Sequence, residues 1–137
     1  MDRVVNTVFP LTTLATASTT QTVIGAGDWR PTFNLSAARL ARMEVNGLTG
    51  AMLVGVGIQL SNSRRSYNAT ATPIYLDNTG TGNLYADGDG IWDPYSTITS
   101  IDSTPYTLWR PCWLIKLSTG STLALAYASA EIQLVFG

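Results

Sequence analysis

Between Gly50 and Ser61 the chain alternates: Met52, Val54, Val56, Ile58 and Leu60 fall on one side, Leu53, Gly55, Gly57 and Gln59 on the other. That period of two predicts a β-strand with one face in the core, and the two glycines leave room on the second face for a close neighbour. The same period returns twice. Leu108, Arg110, Cys112, Leu114 and Lys116 alternate with Trp109, Pro111, Trp113, Ile115 and Leu117, where Pro111 points to a bulge or a sheet edge. Trp109 and Trp113 then share one face and read as core or subunit interface. From Leu123 onward, Ala124, Ala126, Ala128, Ala130, Ile132, Leu134 and Phe136 alternate with Leu125, Tyr127, Ser129, Glu131, Gln133 and Val135. This predicts one long strand, or two with a break near Ser129.

Shorter segments fill in the rest. Val4, Val5, Val8 and Phe9 around Thr7 read as a first extended segment, and the Thr-rich stretch from Leu11 to Thr20 as a loop or loosely paired arm. Residues 1–20 are thus predicted as an arm, or a first strand plus loop, ahead of a single domain over 21–137. "TQTVIGAGDW" gives a strand ending at its glycines, "RPTFNL" another because the residue before proline is pushed out of the α region, and "TPIYLDN" a third. "SAARLARMEV" is ambiguous: Ser36 caps a helix well, yet Met43 and Val45 alternate with Arg42 and Glu44, which favours a strand from about Arg39. Asn46-Gly47 carries the signal of a hairpin turn. No heptad, repeat or βα alternation is present. Seven to nine short strands spaced by roughly 8–12 residues define an all-β chain, an antiparallel β-sandwich or jelly roll.

Composition narrows the chemistry. Charged residues make up 12% of the 137, about half the usual share, while 45% are hydrophobic, enough to build a core in one domain. The net charge of −1 gives no footprint for nucleic acid and no polybasic patch for anionic lipid. A surface so poor in charge is weakly protected against association and suits contact with neighbouring subunits. Histidine is absent and Cys112 is the only cysteine, which removes Ser-His-Asp and Cys-His catalysis and the usual zinc ligand sets. Between Pro111 and Trp113, Cys112 reads as a small buried hydrophobe. The amino end lacks the apolar core of a signal peptide, and no stretch approaches the ~20 apolar residues of a membrane helix, so a soluble chain is expected.

Site chemistry concentrates in residues 77–97, "DNTGTGNLYADGDGIWDPYST". A phosphate loop needs Lys-Ser/Thr after its glycines, and none follows. An EF-hand begun at Asp87 would put Ile91, Trp92 and Ile98 where an oxygen ligand, Gly and Glu are needed. A looser oxygen site of Asp87, Asp89 and Asp93 stays open, as does a carboxylate pair for glycoside hydrolysis. Aspartate and glycine also gather in turns for conformational reasons, and the run is read as a long surface loop, a contact element. No cofactor is expected. Trp92 and Tyr95, with Asp93, are candidates to stack on a sugar or anchor a protein partner, or else to fold back as a lid on the core. Arg64-Arg65 reads as a solvated turn that can reach a neighbour.

"RMEVNGLTGAMLVGVGIQLSNS", followed by "WRPCWLIKLSTGS" and an alternating terminal strand, resembles the small β-sandwich virion proteins of tailed bacteriophages, capsid decoration or cement proteins above all. The likeness covers roughly residues 39–137. It implies a noncatalytic protein on the capsid surface, commonly a homotrimer, whose partners are the major capsid protein and its own copies. The alternative is a carbohydrate- or receptor-binding module of a tail or fibre, with a glycan as partner. Under the first reading the Thr-rich arm orders against a neighbour, and the 77–97 loop and the alanine face of the last strand make contacts within the trimer.

Overall fold

The computed structural model describes residues 3–32, 35–48, 52–61, 72–75, 85–86, 88–93, 96–99, 106–118 and 123–137. These form eleven strands and no helix: β1 (Arg3–Thr16), β2 (Thr22–Gly25), β3 (Arg30–Pro31), β4 (Leu35–Asn46), β5 (Met52–Ser61), β6 (Thr72–Tyr75), β7 (Tyr85–Ala86), β8 (Gly90–Trp92), β9 (Ser96–Thr99), β10 (Leu108–Leu117) and β11 (Ala124–Phe136). Three pairs of short strands each lie along one neighbour: β2 and β3 on β10, β6 and β7 on β5, β8 and β9 on β4. The first sheet therefore runs β1, β11, β4, then β8 with β9; the second runs β2 with β3, β10, β5, then β6 with β7. Every described pairing is antiparallel. Two interleaved four-line sheets are the jelly roll that the spacing of the sequence calls for.

The core lies between the sheets. Met52, Val54, Val56, Ile58 and Leu60 of β5 face Ala124 through Phe136 of β11 as the alternation requires, and β11 is unbroken at Ser129. Large rings on one sheet meet the other: Phe9 packs edge-on to Trp113 with centroids 5.0 Å apart, and Trp109 lies 5.9 Å from Phe136. Such pairs add directional packing to burial, and the small alanines of β11 leave the volume that two tryptophans need.

Bulges set the phase of two strands. Between Phe9 and Thr12 the register of β1 on β11 slips, so Thr7 and Phe9 before it and Leu14 and Thr16 after it all point inward. The expected arm from Leu11 is accordingly strand as far as Thr16, since β-branched Thr suits a half-buried strand. In β4 the extra residues are Ser36 and Ala41, and the strand starts at Leu35 rather than Arg39.

Two further expectations change. Asn46-Gly47 does not close a hairpin: Gly47 has the positive φ of 64° that such a turn uses, but β4 and β5 belong to opposite sheets, so the chain crosses over there. Pro111 makes neither an edge nor a bulge in its own strand, because β10 is central and pairs with β5 in unbroken register. Its carbonyl accepts from the Ala26 amide at 2.9 Å, so its missing N–H faces the gap between β2 and β3, where no ladder bond is lost.

Candidate functional site

Residues 77–97 are not one loop. β7 lies on the second sheet, β8 and the start of β9 on the first, so the described part of the run carries the chain from one sheet edge to the other. Asp89 has a structural task there. The Leu48 amide donates to its Oδ1 at 2.8 Å, tying the crossover after β4 to the turn before β8. Trp92 pairs with Met43, which is fully buried, and packs partly buried against the core from strand β8 at the sheet edge. Gly90 makes this possible, since a Cβ there would sit 3.3 Å from the indole ring. Asp93 faces water, 4.0 Å from the Arg42 guanidinium, an exposed pair worth at most about 1 kcal/mol. Tyr95, Asp87, Arg64 and Arg65 lie outside the described residues. Among the described residues no three His, Cys, Asp or Glu side chains gather as a metal site would require.

The sheets differ on the sides turned away from the core. On the second, Arg110, Cys112 and Leu114 of β10 and Gln59 and Ser61 of β5 are buried as well. Arg110 is clamped: its Nε donates to Gln59 Oε1 at 2.7 Å, its guanidinium carbon lies 4.4 Å from the centroid of the Trp29 ring, and Gly25 leaves the space, because a Cβ there would come within 2.5 Å of that carbon. Burial away from water lowers the pKa of this guanidinium, and burial pushes the neighbouring Cys112 thiol up to about 12. Cys112 is a packed, protonated side chain, not a nucleophile.

On the first sheet the outer side is open. Reading across β1, β11 and β4, its rows are Val4, Val135, Ala37; then Asn6, Gln133, Arg39; then Val8, Glu131, Arg42; and, beyond the bulge, Thr13, Tyr127, Asn46. Val8 is 68% exposed, Val4 58% and Tyr127 49%. Two hollows mark this face, about 200 Å³ beside Val4, Gln133 and Val135 and about 160 Å³ between Val8, Arg42 and Glu131. Both are smaller than the roughly 300–1,000 Å³ of a small-molecule site, so the face suits a flat macromolecular contact rather than an enclosed ligand.

The alanine face of β11, expected at a subunit contact, is instead the core side, and Leu123, Leu125 and Tyr127 are the exposed ones. Phase held the signal: the alanines share their parity with Ile132, Leu134 and Phe136, which have to be inside, and the leucines share theirs with Ser129, Glu131 and Gln133.

No protein-family model and no curated protein matches this chain. Solved structures do. A chain of the infectious bursal disease virus Gx strain is similar over 99% of this chain and 32% of its own, with TM-score 0.54 and 12% identity. The Gt strain of the same virus gives 98% and 33%, TM-score 0.53 and 9% identity, and its VP2 subviral particle 98% and 33%, TM-score 0.52 and 9% identity. The chain spans about a third of the length of those chains, and at such identity the likeness shows the fold alone. The all-β fold is similar to that of these virus-particle chains, a coarser statement than the tailed-phage resemblance of the sequence.

Proposed function

We propose that the chain is a noncatalytic structural part of a virus particle, in its finer form a decoration or cement protein that ties neighbouring capsid subunits at the capsid surface. One observation carries this: a jelly roll similar over nearly its whole length to virus-particle chains leaves the outer face of its first sheet open, with Val4, Val8, Leu125 and Tyr127 in water. Exposed apolar side chains set among polar ones on a flat face are where assemblies bury area. Many copies at symmetric positions would make weak single contacts strong, because separating the lattice then means breaking several at once. Its partners in this reading are the major capsid protein and further copies of the chain; three-fold association comes from the tailed-phage resemblance alone.

The fold is consistent with a noncatalytic role, since its one thiol is buried and protonated at neutral pH. The glycan reading loses support to the extent that the indole of Trp92 is turned toward the core. Purified chain mixed with particles that lack it should co-sediment saturably and raise the temperature at which the particles come apart, and Leu125→Asp with Tyr127→Ala should abolish both effects. Absence of co-sedimentation, together with glycan binding lost in Trp92→Ala, would reverse the choice between the two readings.

A further inference from the structure

Among the described residues, three of the four sheet edges are made of short pieces: β2 and β3 have four and two residues, β6 and β7 four and two, β8 and β9 three and four. Short edge strands offer a neighbouring chain little to pair with. β1 is different. It is fourteen residues long, and among the described residues it is paired on one side only, with β11. Its second half is nonetheless guarded, because Pro10 lacks an N–H and the bulge before Thr12 breaks the register. The first half, Arg3–Phe9, has no proline, no bulge and a charge only at its end, and it turns Val4 and Val8 outward, both well exposed.

We propose that this half-strand pairs antiparallel with the same segment of a second copy of the chain, about a two-fold axis through Asn6 and normal to the sheet, joining two first sheets into one. The faces choose the register. An axis normal to the sheet keeps the outer face outward, so each residue meets one of the same parity in the copy. Centred on Val5, such a pairing would set Val4 against Asn6; centred on Thr7, it would set Val4 against Pro10. Centred on Asn6, it sets Val4 against Val8 and Val8 against Val4, and it spans Arg3 to Phe9 before proline intervenes. Matched β-branched apolar pairs are what stabilises an antiparallel ladder.

The inference rests on the structural reading above only in expecting self-association, and its test uses no particles. In sedimentation over a concentration series, the chain should dimerise. Under mild oxidation Asn6→Cys should form an intermolecular disulfide, since opposed residues of a ladder lie about 4.5–5.5 Å apart at Cα, within disulfide reach. Thr13→Cys, exposed on the same side but beyond the bulge, should not, and the native Cys112 is buried and does not compete. Val4→Lys and Val8→Glu should each weaken the dimer by about tenfold or more, with circular dichroism unchanged, because each substitution occurs twice across the axis. Mixing these two variants should restore dimers, one lysine then facing one glutamate while the other pair stays Val to Val. A chain monomeric at every concentration, cross-linking no better at Asn6 than at Thr13, or a dimer indifferent to both charges overturns the pairing. A dimer that passes these tests and binds no particle removes the virion reading and keeps the pairing; particle binding by a strict monomer does the opposite.

Discussion

Leu114 and Leu125 are both leucines on sheet faces turned away from the core, one on β10 of the second sheet and one on β11 of the first. Leu114 is fully buried; Leu125 is 41% exposed. The contrast extends to their neighbours, Arg110, Cys112, Gln59 and Ser61 on one side, Val4, Val8 and Tyr127 on the other. A sheet covered on both sides has finished its burial within the chain. A sheet covered on one side has a face with exposed apolar side chains left to offer, and there a binding function costs the fold least.

The widest gap should appear when the same charge is placed on both faces. Leu114→Asp puts a carboxylate where no water reaches, and the domain should lose about 4 kcal/mol or more, read as failure to fold or a collapse of the urea midpoint. If Leu114→Asp folds with near-native stability, the second sheet is not closed and the comparison fails. Next is Arg110→Ala. It strips Gln59 Oε1 of its donor and the Trp29 ring of its cation, and should cost about 2–4 kcal/mol by denaturant unfolding. Arg110→Lys should recover only part of that loss, because an ammonium keeps the charge but cannot lie flat on an indole while bonding Gln59 in its plane.

The strands that were plain in the sequence are those without a bulge. β5, β10 and β11 keep one parity from end to end, so Met52 to Leu60 and Ala124 to Phe136 alternate visibly. β4 hides the same geometry. Its extra residues at Ser36 and Ala41 move the buried positions to Leu35, Ala38, Leu40, Ala41, Met43 and Val45, a spacing that mimics a helix face. Gly47 shows a different limit: its positive φ is written in Asn-Gly, but a local turn does not say which sheet the next strand joins. The candidate surface was hard to see for a related reason. Val4 and Val8 look like core residues of a first strand, and only the pairing of β1 with β11, bulge included, turns them outward.

A subtler measure of closure is Cys112, whose proton reports on its surroundings. Burial holds its pKa near 12 against an ordinary 9.0, so between those values the unfolded chain releases a proton that the folded chain keeps. The folded state therefore has this contribution in full below about pH 9 and loses it as pH rises toward 12, at up to about 1.4 kcal/mol per pH unit. Unfolding free energy measured from pH 8 to pH 10.5 should fall less steeply in Cys112→Ala than in the native chain, and equal slopes would mean that water reaches the thiol.

The smallest effect belongs to the open face. Leu125→Asp adds a charge where the side chain already meets water, beside Ala15 of β1, and the unfolding free energy should stay within about 0.5 kcal/mol of the native value. That near-silence is informative because the same substitution should destroy binding to a particle: a residue that matters to association but not to folding is one the fold leaves free for a partner. If Leu125→Asp destabilises the isolated chain by as much as Leu114→Asp, both sheets are closed, and the first sheet has no face to give.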